Sequence, residues 1–322
     1  MTEASPNPFR ASAGVCRRAP GATIRAEGAD RVRFLNGMLT NDVSKLEPGR
    51  GQWSVKASSK GKVEGLARVR CGAEDLLLDL VESSAGRVAE QLVRHVVMDD
   101  VRLSDGGEGR QMASIHGPDA PSLVSKLIEG PLPELEASFV EADGLVVIRD
   151  DRFGVPGFEL HHPPARDVVA ELVAAGATET SEDALEVLRV EAGLPKDGVD
   201  LDLDTIPLEA RLDYAIDLKK GCYIGQETIA RATHRGGVKH HLVGLRFPSG
   251  ARPVGAELWN ATKKVGEVTS AVVSETAGAT IGLGYVHITA EAPGTALEAR
   301  TGEESAPAEV VSLPHVAVHA EL

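Results

Sequence analysis

Hydrophobic positions along this chain follow two rhythms. After Gly28-Ala29-Asp30, the apolar residues Val32, Phe34, Leu35, Met38 and Leu39 recur at mixed three- and four-residue steps. This predicts a helix with Asp30 as N-cap and Thr40-Asn41-Asp42 as its end. The stretches 52–57, 62–71 and 75–81 change to near-alternation and read as strands, leading into a helix around 85–97. Helical signals at 118–128 and 165–175 alternate with strand signals at 111–115, 138–141, 145–149 and 158–161, and Glu141-Ala142-Asp143-Gly144 carries hairpin turn chemistry. That order predicts a second ferredoxin-like unit over about 110–180. Thr180 to Asp183 reads as a capping box opening an amphipathic helix through Leu185, Leu188 and Val190 that stops near Gly193. Beyond Lys239 the helical period disappears. Alternating stretches at 242–247, 265–273 and 281–286, separated by Gly and Pro, predict an all-β barrel or sandwich of about 80 residues.

A length of 322 residues predicts two or three modules, and no apolar run approaches the roughly 18 residues that span a bilayer. No membrane association is expected. The polar stretch 1–18 lacks the apolar core of a secretory signal, which predicts a cytoplasmic protein. Cys16, Cys71 and Cys222 form no CxxC pair and are expected to be thiols in a reducing compartment. A formal charge of -14 opposes broad adsorption to nucleic acid. The charge is uneven: 218–246 holds six basic residues and one acid, Glu227.

Within that basic window, Lys219 to Glu227 is the most informative segment. By residue type it can be a basic loop, with Gly221 at a turn, a helix opening near Gly225 and Cys222 as a small buried hydrophobe. It can equally present Cys222 as a thiolate favoured by Lys219 and Lys220. Nearby His234, His240 and His241 have no acid or cysteine pair completing a familiar metal spacing, and read as surface or strand-edge histidines. Asp99 and Asp100, adjacent in sequence, point apart rather than forming a dyad. There is no Gly-rich phosphate loop, GxSxG or HExxH.

Lys220-Gly221-Cys222-Tyr223-x-Gly225-Gln226-Glu227 resembles the signature of the YgfZ family, folate-binding relatives of the glycine-cleavage T-protein. Three further regions resemble that group in the same order. They are 34–42 (Phe-Leu-Asn-Gly-Met-Leu-Thr-Asn-Asp), Lys60-Gly61-Lys62, and 189–195 (Arg-Val-Glu-Ala-Gly-Leu-Pro) with Pro207-Leu208-Glu209-Ala210. The resemblance implies an α+β fold. It implies that residues 1–240 form ferredoxin-like units around a central site for tetrahydrofolate or a derivative, and that 241–322 form a C-terminal β-barrel. It makes Glu191 and Glu209 candidates for contacting the pterin, whose aminopyrimidinone edge offers paired N–H donors to a carboxylate. Lys220 and Arg235 become candidates for the anionic glutamate tail, and Cys222 for a functional thiol. The implied role is support for assembly or repair of iron–sulfur enzymes, tRNA-modifying ones included, with iron–sulfur client or assembly proteins as partners.

Two other readings stay open: a folate-dependent aminomethyl transferase, and an adaptor that has lost the ligand. The T-protein carries a paired Asp-Asp-Leu just beyond a Gly-Gly turn, the second Asp being its catalytic acid. Here 61–67 reads Gly-Lys-Val-Glu-Gly-Leu-Ala, without the pair. Glu64 is close, but a shift of one residue along a strand turns a side chain to the opposite face.

Overall fold

The computed structural model describes residues 7–19, 21–107, 109–234 and 237–316, with the side chain of His234 left out. Arg235 lies outside the described residues. The chain opens with α1 (Pro8–Ala11), β1 (Gly14–Arg18), β2 (Ala22–Glu27), α2 (Arg31–Met38), β3 (Gly51–Ala57), β4 (Val63–Cys71), β5 (Leu76–Leu80), α3 (Glu82–His95) and β6 (Arg102–Asp105). Strands β3-β4-β5-β2-β6 form one sheet. Its helix-side face carries Ala67, Val69, Leu76, Leu78 and Leu80, packed against Phe34, Leu35 and Met38 of α2 and Val88 and Leu92 of α3. Alternation along the strands turns Arg68, Arg70 and Asp79 to the other face.

The chain continues with β7 (Gln111–His116), α4 (Ala120–Val124), β8 (Phe139–Ala142), β9 (Leu145–Arg149), β10 (Gly157–His162), α5 (Val168–Ala175), β11 (Thr178–Glu179) and α6 (Glu182–Ala192). These give a second sheet, β11-β1-β7-β10-β9-β8, covered by α4 and α5 through Leu123, Val124, Val168 and Leu172. The predicted hairpin turn is present, with Asp143 and Gly144 both at positive φ. The helix predicted over 118–128 shortens to 120–124.

The second sheet is not contiguous in sequence. β1 leaves the first unit and pairs antiparallel with β7, from Gly14↔His116 to Arg18↔Met112. The reason lies in packing: Ala13 and Val15 fill the second core, while Phe9 and Cys16 fill an adjacent one with Phe153, Leu185 and Leu188. Cys16 is therefore fully buried, and burial pushes its thiol up to about 11. The cap of α6 is Ser181, one residue beyond the expected Thr180: the Ser181 hydroxyl accepts the Ala184 N–H, while Thr180 continues the pairing with β1 by giving its N–H to the Val15 carbonyl at 2.8 Å. Gly193 ends the helix as expected, in the left-handed conformation at φ 76°.

After α7 (Gln226–His234), six antiparallel strands close into a barrel: β12 (His240–Phe247), β13 (Glu257–Asn260), β14 (Lys263–Ser274), β15 (Ala279–His287), β16 (Ala296–Thr301) and β17 (Glu304–Val311). β17 returns to β12 at Leu245↔Val310 and closes it. Leu245, Phe247, Leu258, Val268, Val286 and Val310 fill the interior. Leu242, Ile281 and Leu283 instead meet Val190 of α6, joining barrel to α+β region. Among the described residues no helix is long and apolar enough to cross a membrane.

Candidate functional site

The signature segment is a clasp between distant parts of the chain. The Lys220 ammonium, 8% exposed, donates to the carbonyls of Asn36 (2.7 Å), Leu39 (2.8 Å) and Asn41 (2.8 Å) at the end of α2. Cations suit a helix C-terminus, where carbonyls lack intrahelical partners. Burial lowers the pKa of Lys220 to about 8. With its donors engaged inside the protein, Lys220 does not reach outward as a folate-tail ligand would. The Ile224 N–H bonds the Gly37 carbonyl at 3.1 Å, and the Tyr223 ring enters the core shared by β3, β4 and α7. Gln226 opens α7, and Glu227 pairs with Arg231 one turn on. Gly221 and Cys222 are exposed. Cys222 is thus presented at the surface by a loop whose flanking residues Lys220 and Tyr223 are buried, so the alternative of Cys222 as a buried hydrophobe is set aside.

The two carboxylates divide. Glu191 is 1% exposed, and its carboxylate takes donors from the Arg10 guanidinium and from the Ser274 hydroxyl (2.6 Å). It joins the N-terminal turn, α6 and β14, and both its oxygens are engaged by protein. Glu209 is half-buried, and among the described residues its carboxylate receives a long contact from the Ile206 N–H at 3.4 Å. Its carbonyl accepts the Leu242 N–H at 2.7 Å, which holds it beside the first barrel strand.

Next to Glu209 in the chain, Leu208 and Ala210 join a core built from the first sheet, the 201–223 connection and Tyr285 of the barrel. Trp53, Leu208, Ile216 and Tyr285 pack half-buried against Val55, Ala57, Leu66, Leu212 and Tyr223. The Tyr285 hydroxyl donates to the Asp200 carbonyl at 2.9 Å. From the second unit the Arg152 guanidinium lies 3.6 Å from the Trp53 ring centroid, bonds Asp150 at 3.0 Å and pairs with Glu136 at 3.5 Å. Trp53 Nε1 donates to Glu136 at 3.2 Å. Tyr214 interacts with Arg152 yet stays 44% exposed. Burial, reinforced by Asp150, raises the Glu136 carboxyl; burial acts on Asp150 too, but Arg152 and His116 outweigh it and hold Asp150 low. Trp53, Glu136, Arg152 and Tyr214 were not singled out from sequence. The scarcity of aromatics, two Trp and three Tyr in 322 residues, was the available signal.

By the resemblance to the T-protein, Gly65 and Leu66 stand where its paired acids would be, with Glu64 just before them. The Glu64 carboxylate pairs with the Lys56 ammonium at 2.9 Å, and Lys56 is 1% exposed. A bulge in the β3–β4 register between Lys56 and Ala57 leaves Glu64 without a cross-strand partner. A β-carbon at Gly65 would stand 2.7 Å from Val88 Cγ2 and 3.3 Å from Ser84 Oγ, inside the packing of α3. Gly65 and Leu66 supply no acid, and the Glu64 carboxylate is held by Lys56. Of the histidines, His240 stacks edge-on against His287 and His241 pairs with Glu291. Among the described residues no cluster of three or more His, Cys, Asp or Glu could hold a metal.

Residues 2–220 match the GCVT N-terminal domain and residues 240–316 the glycine cleavage T-protein C-terminal barrel domain. An aminomethyltransferase of Rubrobacter xylanophilus is 32% identical over 301 residues, covering 90% of this chain and 80% of that one. Another, from Bacillus mycoides, is 29% identical over 320 residues, covering 95% and 87%. The crystal structure of glycine cleavage system aminomethyltransferase T from Bartonella henselae superposes with a TM-score of 0.87 over 97% of this chain and 88% of that one, at 23% identity, and shows the same fold. The chain belongs to the glycine-cleavage T-protein family. Members of this family use tetrahydrofolate.

Proposed function

We propose that this chain is a folate-binding member of the family of the YgfZ kind, which binds tetrahydrofolate or a derivative without transferring an aminomethyl group. In this reading it works in the cytoplasm, supporting assembly or repair of iron–sulfur enzymes, tRNA-modifying ones among them. The residues suit the ligand: Glu209 has a lightly held carboxylate for the paired N–H donors of the pterin, close enough to Tyr285 to act on its hydroxyl, and Tyr285 packs half-buried with Leu208 and Ile216 on the same apolar core. When bound, the folate supplies nitrogen atoms that carry a one-carbon unit. The protein's part is to orient the pterin and to exclude water.

The observation that carries the departure from transfer is the Lys56–Glu64 pair with Gly65 beside it. Glu64 is neutralised by a buried ammonium, Gly65 has no side chain, and the Asp197 carboxylate at this stretch is taken up by the Leu66 N–H at 3.2 Å. The iron–sulfur role and its client proteins rest on the signature at 220–227. The exposed Cys222 is its proposed working group. Cys222→Ser should change stability by less than about 0.5 kcal/mol, as an exposed substitution does, yet abolish rescue of iron–sulfur enzyme activity in a cell lacking the protein.

The second reading is folate-dependent aminomethyl transfer, and the comparisons favour it, since the relatives named above are aminomethyltransferases. An assay with an aminomethylated lipoyl carrier and tetrahydrofolate separates the two. Turnover of about 1 per second or faster would establish the transferase. Folate binding with no turnover supports the reading proposed here.

A further inference from the structure

The two sheets meet through the faces turned away from their helices, and a slot remains between them. On the first sheet Arg70, Leu77 and Arg25 are successive cross-strand neighbours on β4, β5 and β2. On the second, His161, Val146 and Glu141 form the matching row on β10, β9 and β8. These six residues, with Gly106 and Arg110 at the rim, enclose about 230 Å³. A neighbouring compartment of about 330 Å³ shares Arg25, Leu77 and Glu141 and adds the Phe139 ring.

The slot is set for an anion within a protein of charge -14. Arg70 is 2% exposed and gives Nε (2.7 Å) and Nη2 (2.9 Å) to Asp79. Its Nη1 is buried with no hydrogen-bond partner among the described residues. A guanidinium N–H stripped of water and left unpaired costs free energy that an oxyanion would recover. The other acids nearby are engaged: Glu159 with Arg68 and His161, Asp75 at 3.5 Å from Arg25. Among the described residues Glu141 is the acid that lines the slot itself, and Asp75 lines the neighbouring compartment. None of these residues belongs to the proposed folate site.

We propose that this slot binds a small organic oxyanion, a phosphate monoester or carboxylate whose charged head meets Arg70, Arg25 and Arg110 and whose body lies along Leu77 and Phe139. Calorimetric titration of the full chain with phenyl phosphate, benzoate and inorganic phosphate tests it. Saturable binding of phenyl phosphate or benzoate is expected, and the tighter of the two identifies the head group. Inorganic phosphate, lacking the body, should bind more weakly than phenyl phosphate. Because Arg70→Gln removes two hydrogen bonds from buried Asp79, which keeps those from Arg68 and Thr23, and can unfold the protein, the variants are placed at the rim. Arg110→Gln should weaken binding about threefold and Glu141→Gln should tighten it about threefold, the scale of partly exposed charge pairs. Saturating tetrahydrofolate should leave these values unchanged. No saturation up to about 10 mM, identical affinities in both variants, or competition by tetrahydrofolate would overturn the proposal.

Discussion

The Cα of Gly61 lies 3.1 Å from where a β-carbon on Gly225 would stand. The Lys-Gly-Lys turn between β3 and β4 and the signature loop before α7, far apart in sequence, are thus packed backbone to backbone. Gly225 has φ 85° and Gly61 φ 72°, and a β-carbon on Gly61 would in turn stand 2.7 Å from Thr228 Cβ. Only two glycines allow this approach, because both the conformation and the space exclude a side chain. The shared pattern of the two motifs is therefore the two halves of one contact, which holds the exposed Cys222 in place.

Gly225→Ala should accordingly lower stability by about 2 kcal/mol or more, the sum of left-handed strain and a contact of 2.4 Å with the Ser58 carbonyl. Urea unfolding checks it. A midpoint equal to that of the parent protein would mean the clasp tolerates a side chain.

Glu191 acts as a joint, so Glu191→Ala should cost about 3 kcal/mol or more by leaving Arg10 and Ser274 unpaired. Folate affinity of the folded fraction should stay within about twofold. Unchanged stability with lost folate binding would return Glu191 to the ligand site.

His116 is fully buried between Phe9 and Phe153, its ring nitrogens have no hydrogen-bond partner among the described residues, and burial lowers its pKa from 6.5 to about 4. Asp150 and Glu159 favour its protonation while Arg18 and Arg152 oppose it. Below about pH 6.5 the unfolded chain takes up a proton that the folded one refuses until about pH 4. Stability contributed by neutral His116 is therefore full above pH 6.5 and lost as pH falls toward 4, by about 3 kcal/mol. Asp79, Glu159 and Asp150, held low by their arginines against burial, lose theirs only at still lower pH. In thermal denaturation from pH 7 to 4.5, His116→Phe should flatten the decline of the midpoint. Parallel declines would show that other groups carry it.

Local rhythm made most elements legible: the period of Phe34, Leu35 and Met38 gives α2, and alternation in β4 and β12 gives strands. Long-range partners were not legible. Nothing in Gly14-Val15-Cys16 says that the strand will join β7, and nothing near Glu191 announces Arg10, 181 residues away. Motif resemblance located the 220–227 segment but could not say that Lys220 turns inward onto three carbonyls. The aromatic and charged lining at Trp53, Glu136, Arg152 and Tyr214 comes from three chain segments that only the fold brings together.

The central claim is that a reduced folate binds beside Glu209. Titration calorimetry of tetrahydrofolate into the parent protein and Glu209→Gln tests it most directly, since the substitution keeps size and removes the acceptor charge. Saturable binding that weakens about tenfold in the variant, the scale of a charge-assisted hydrogen-bond pair, is predicted. Absence of binding to the folded parent protein, or equal affinity in the variant, would contradict the account.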